Sequence, residues 1–162
     1  MMRVLLLAML VLVGAGVRDM PVVYHSERYG LTFDMPAGWR GYSVMMRRWA
    51  GRSHSTEGDG EVVREHGRVI VLRHPGWKAS DPYHDIPIYV FTRRQWVGVQ
   101  RDGFGLIAGG VECEVAHNDR YVFAVWSRFN FDDGVKGAEE VGRIVEGNSV
   151  ANEPHLEEGG DQ

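Results

Sequence analysis

Tyr29-Gly30-Leu31-Thr32-Phe33-Asp34-Met35-Pro36-Ala37-Gly38-Trp39 sets the plan of the chain. Tyr29, Leu31, Phe33 and Met35 fall on one side and smaller or polar residues on the other. Period two over 29–35 is the mark of a strand with one buried face. Pro36 and Gly38 then stand where a turn needs them, and Trp39 is placed to cover the end of the core. A sheet with one wet face needs something to cover the other, so the rest of the chain should supply more strands and at least one amphipathic helix.

Both are present. Downstream, 41–50 reads as a second strand with Tyr42, Val44 and Met46 on one face, until Arg47 and Arg48 interrupt the alternation. Residues 51–67 are polar, glycine- and serine-rich, and read as a loop or an open hairpin tip. Val69-Ile70-Val71-Leu72 is a continuous apolar run suited to a central strand. Residues 74–85 are dense in Pro, Trp, Tyr and His and read as an ordered, irregular loop. A strand follows over 86–91, with Pro87 confined to its first positions or to an edge.

Thr92 is an N-cap for a short helix from Arg93 that turns Trp96, Val97 and Val99 inward. Strands are expected over 103–108 and 111–117, parted by Gly109-Gly110. After a tight Asn118-Asp119 turn, the last strand covers 120–129, with Tyr121, Phe123 and Val125 opposite Val122, Ala124 and Trp126. Asp132 or Asp133 caps a final helix through Glu146, whose Val135, Ala138, Val141, Ile144 and Val145 form an apolar stripe. The order predicts an α+β domain over 17–147: a mainly antiparallel sheet with helices packed on it. Residues 148–162 are acidic, hold Leu156 as their one large aliphatic side chain, and read as a disordered tail.

Upstream, Arg3 is followed by an apolar or small-residue run over 4–17 and then by Arg18-Asp19. That run spans about 21 Å as a helix, short of the roughly 30 Å hydrocarbon core of a bilayer. Gly14 and Gly16 suit a signal-peptidase site, so 1–16 reads as a cleaved signal peptide, with a retained anchor as the other reading. No cysteine near this end permits lipid anchoring. The expected location is periplasmic or extracellular, with no stable membrane span after cleavage.

The 162-residue chain has 18 basic and 22 acidic side chains, and losing Arg3 with the leader makes the formal net charge of −4 one unit more negative. An acidic surface argues against nucleic acid or an anionic membrane as the main partner. The single cysteine, Cys113, rules out an internal disulfide and reads as a buried, inert thiol, since Glu112 and Glu114 raise a thiol pKa rather than lower it.

The opening Tyr29–Trp39 stretch resembles the start of PsbP-like domains, which begin with a strand of the form YGFSFxxPxGW running into a Pro-Gly-Trp turn. The alternating aromatic strand and the C-terminal amphipathic helix resemble the end of the same domains. The resemblance implies an α/β/α sandwich around a twisted, mainly antiparallel sheet, in a family of mostly non-catalytic accessory or assembly proteins. No catalytic residue set comes with it. The segment from Arg73 to Trp96 is also similar to small exported bacterial proteins without an assigned function.

Candidate chemistry concentrates between Arg73 and Trp96. Trp77, Tyr83, His84, Asp85 and Trp96 offer a binding surface for an envelope protein or a small ligand. His74, His84 and Asp85, with Asp81, are metal-ligand types. However, His84 and Asp85 are adjacent and point apart in an extended chain, and no H-x-x-x-H spacing is present. Cys113 and His117 would stand about 13 Å apart on a strand, too far for a nucleophile–base pair. His25-Ser26-Glu27 and Ser53-His54-Ser55 contain the letters of hydrolase triads without a nucleophile elbow. No P-loop, dinucleotide fingerprint or cysteine cluster points to a cofactor. Arg47, Arg48 and Arg52, with Arg93 and Arg94, are candidates for a basic patch that takes an acidic partner or an anionic glycan. The functional expectation is an exported, non-enzymatic accessory or binding domain. The alternative is a divalent-metal protein or hydrolase built on the 74–85 loop.

Overall fold

The computed structural model describes residues 20–54, 62–102, 112–126 and 135–150. The deciding stretch folds as its alternation requires. Strand β2 (Leu31–Met35) buries Leu31, Phe33 and Met35, with Thr32 and Asp34 exposed. Tyr29 is buried ahead of it, in the turn that joins β2 to its antiparallel partner β1 (Val22–Ser26). Little in the sequence marks β1, because its alternation is weak: Tyr24 is its one buried side chain while Val23 stays exposed. Past Met35, Ala37–Trp39 is a turn of 3-10 helix, and Trp39 is fully buried.

A second sheet has the order β3 (Ser43–His54), β4 (Val62–Arg73), β5 (Ile86–Thr92), β7 (Tyr121–Trp126) and β6 (Glu112–His117), antiparallel throughout. The molecule is therefore α+β and mainly antiparallel, with two α-helices among the described residues, α1 (Arg93–Asp102) and α2 (Ala138–Gly147). Pro87 is the second residue of β5 and lies before Tyr89–Thr92, the stretch of β5 that pairs with β7, so that ladder does not need its missing N–H.

Of the loop or open hairpin tip expected over 51–67, the hairpin is what forms, and its paired strands run well into the expected range. Gly51 to His54 pair with Val62 to Glu65, and Ala50 and Trp49 with His66 and Gly67. Trp49 explains how polar strands hold this register. Its buried indole lies over Gly67 and donates from Nε1 to the Val90 carbonyl at 3.1 Å, crossing β4 to reach β5. A Cβ on Gly67 would stand 2.4 Å from that nitrogen, so only glycine leaves room for the crossing.

Strand alternation divides the core into two clusters on opposite faces of the five-stranded sheet. One joins Ile70, Leu72, Ile86, Ile88, Phe123 and Val125 to the β1–β2 hairpin, Trp39, and Val141, Ile144 and Val145 of α2. The other joins Trp49, Val69, Val71, Phe91, Val122 and Ala124 to Trp96 and Val99 of α1. Thr92 begins α1 with a reciprocal cap: its Oγ1 accepts from Gln95 N–H at 3.2 Å and Gln95 Oε1 accepts from Thr92 N–H at 2.9 Å. Val97 is 48% exposed rather than turned inward, one step round the helix from the buried Trp96 and Val99.

Helix α2 starts at Ala138, later than the sequence suggests, behind Gly137 in the left-handed region. No side chain caps it, and its proposed Asp132 or Asp133 cap lies outside the described residues. Asn148, assigned to the tail, is held in place: Nδ2 donates to Asp34 O and Ile144 O, and Oδ1 accepts from Asp34 N–H, at 2.8–2.9 Å. The leader over 1–16, the strand expected at 103–108 and the rest of the tail from 151 onward also lie outside the described residues. Among those described, no helix is long and apolar enough to cross a membrane.

Candidate functional site

The loop over 74–85 leaves β4 and returns into β5, and an ion pair closes its neck. Leu72 and Ile86 are the last paired residues. One step beyond, Arg73 donates to both carboxylate oxygens of Asp85, from Nε at 2.9 Å and Nη2 at 2.8 Å. Such a two-pronged pair is geometrically demanding and about twice as strong as a neutral hydrogen bond. The guanidinium also lies 3.9 Å over the Trp77 ring, so one arginine holds both ends of the loop and the indole between them.

Inside the loop, the His74 and Tyr83 rings stack at 4.0 Å, and Trp39 meets both edge-on at 5.1 and 6.2 Å. His74 Nδ1 accepts the Gly76 N–H at 3.0 Å. Below the aromatics, Glu140 of α2 takes one donor on each oxygen: Trp39 Nε1 at 3.2 Å and the Tyr83 hydroxyl. Lys136 ties the loop to the segment entering α2. Its backbone N–H donates to Pro82 O, its carbonyl accepts from His84 N–H, and its ammonium pairs with Asp81.

Each residue proposed from sequence therefore has a place. Trp77, Tyr83, His84 and Asp85 share this loop, whereas Trp96 lies in the cluster on the opposite sheet face, 5.6 Å from Phe91, and does not join them. Of the metal candidates, Asp85 is engaged by Arg73 and His74 by Gly76. Among the described residues, no three His, Cys, Asp or Glu side chains are grouped so as to hold a metal ion.

The Cys113–His117 spacing is altered by a β-bulge between Glu114 and Ala116. The extra residue turns His117 out of phase. His117 pairs its Nδ1 with Glu114 at 2.6 Å, while Cys113 packs, half-buried, against the first core cluster.

Sequence reading missed Glu140. The available signal was Trp39, since a buried indole N–H needs an acceptor. Glu140 also borders an open groove of about 520 Å³ between α2 and the end of β2, shared with Asp34, Pro36, Arg143 and Asn148.

Burial raises the Tyr83 phenol pKa to about 12, helped by its hydrogen bond to the Glu140 carboxylate and that group's charge, and opposed by Arg143. In the unfolded chain the phenol ionises near pH 10. The stability from the neutral phenol is then fully present below pH 10 and is lost as pH rises through about 12. Denaturant melts between pH 9 and 12 should show this alkaline loss, and Tyr83→Phe should flatten it. An identical profile in both proteins would remove Tyr83 as its source.

Comparison with known proteins gives no match, whether to a protein-family model, a curated protein or a solved structure.

Proposed function

We propose that this chain is an exported, non-enzymatic accessory or binding domain, layered as the α/β/α sandwich of PsbP-like domains, with a C-terminal amphipathic helix. One observation carries the reading: Asp81, Tyr83 and Asp85, three of the side chains that offer chemistry in the 74–85 loop, are spent on contacts that close it. Arg73 holds Asp85, Glu140 holds Tyr83 and Trp39, and Lys136 holds Asp81. A general base or nucleophile needs a group aimed at a reacting atom, and here those groups close a loop. What the closure presents is Trp77, half-buried beneath its guanidinium, an aromatic of the kind that anchors interfaces.

Trp77→Ala should leave the melting temperature nearly unchanged and remove the partner that the immobilised chain retains from envelope extracts. Tyr83 is unsuitable for this test because its ring belongs to the fold. Retention of the same partner by both proteins would refute the role of Trp77. If zinc instead stabilised the chain and His74→Ala abolished that shift, the metal reading would replace this one.

A further inference from the structure

The register of β3 against β4 sets Arg48, from the basic patch expected in the sequence, into a cationic face completed by residues of β4. Arg48 stands directly opposite Arg68, Ala50 opposite His66 and Arg52 opposite Arg64. Cross-strand partners share a face, and so do alternate residues along each strand. Arg48, Arg64, His66 and Arg68 thus line one side of the ribbon, three of them exposed and Arg68 half-buried. Arg93 and Arg94 are not part of it: Arg93 donates to Asn118 O, and Arg94 pairs with Glu65 at 3.0 Å. Glu65 alternates to the opposite face, and among the described residues no carboxylate pairs with Arg48, Arg64 or Arg68.

Like charges placed directly opposite on a sheet repel. A chain with net charge −4 has acidic residues to spare, yet the ribbon gathers arginines. Among the described residues β3 is also the edge of its sheet, so no described strand pairs with its outer N–H and C=O groups. Further along that same edge and face, Val44 and Met46 are 44% and 47% exposed.

We propose that β3 is a docking edge for an extended acidic segment of a protein partner, which adds as a strand beside it. The backbone row supplies the hydrogen bonds, Val44 and Met46 take apolar side chains, and the arginine face takes carboxylates two residues apart. A second copy of this chain would bring arginine against arginine. A sulfated glycan would use the charge but neither the backbone row nor the methionine. The inference rests on the reading of the chain as a binding domain but uses a surface that excludes Trp77.

The test uses the full chain and a fluorescent synthetic peptide alternating Glu with Val. Controls are a Lys/Val peptide and the Glu/Val peptide N-methylated along one edge. The Glu/Val peptide should bind, weaken steeply with added salt, and protect β3 amides from hydrogen exchange. N-methylation and the Lys peptide should each abolish binding. Arg48→Glu with Arg68→Glu should weaken it by roughly tenfold or more through reversal of the facing charges, whereas Trp77→Ala should leave it unchanged.

Equal binding of the N-methylated peptide, or tighter binding of a sulfated oligosaccharide, would overturn strand addition in favour of a plain polyanion site. A dimer that protects β3 without peptide would assign the edge to a second copy. Binding seen only after removal of 151–162 would assign it to the chain's own acidic end. If no peptide binds while Trp77→Ala still loses a retained partner, this inference falls and the binding-domain reading stands.

Discussion

Gly137→Ala should destabilise the chain by about 2–5 kcal/mol, a drop of roughly 5–15 °C in melting temperature. Two independent costs combine. Gly137 has φ +84, and a left-handed backbone costs a residue with a Cβ about 1–2 kcal/mol. The added carbon would also stand 2.0 Å from the Tyr83 ring, and that ring is fixed by His74 on its face and by Glu140 at its hydroxyl. Forced movement in a packed region costs about 1–3 kcal/mol.

Gly142→Ala is the matched control on the same helix, where an added Cβ meets nothing within 4 Å. It should stabilise by about 0.5–1 kcal/mol through helix propensity. Combining Gly137→Ala with Tyr83→Ala should cost less than the sum of the two, since the clash disappears with the ring. Additive costs in denaturant melts would mean that Gly137 does not press on Tyr83.

Glu140→Ala should cost about 2–3 kcal/mol, far more than an ordinary surface helix substitution. Trp39 is fully buried, so without the carboxylate its indole N–H loses its acceptor. The Tyr83 hydroxyl loses its acceptor at the same time. Glu140→Gln should recover most of the loss, because the amide oxygen can accept from Trp39 while the phenol oxygen accepts from the amide nitrogen. An Ala variant within 0.5 kcal/mol of the parent, the usual spread for neutral surface changes, would show that Glu140 does not join α2 to the loop.

The parts of the fold legible from sequence are those governed by near neighbours. Alternation in β2 and β7 marks faces that the structure buries as expected: Leu31, Phe33 and Met35; Phe123 and Val125. The Thr92–Gln95 cap operates over a single turn. By contrast, β1 has one buried side chain to announce it. The outer ends of β3 and β4 carry almost no apolar pattern, and what keeps them in register is Trp49 crossing a glycine on the next strand. At the candidate site, sequence identified the loop, Trp77, Tyr83, His84 and Asp85. It did not identify the partners Arg73 and Glu140, which lie at the loop's neck and on a helix far along the chain.

Local sequence thus settles which residues form strands and helices and which sides face inward, because backbone geometry ties each side chain's direction to its immediate neighbours. Register and docking lie beyond it. Whether Arg48 faces Arg68, whether Glu140 reaches Trp39, and whether Asn148 holds Asp34 depend on residues brought together across the chain. Those contacts form when the strands pair and α2 docks on the shared core, and a one-residue slip would send every side chain of a strand to the other face. The basic ribbon and the closed loop therefore take residues that the sequence marks as candidates, Arg48 in one and Tyr83 and Asp85 in the other, and give them partners that only the tertiary structure supplies.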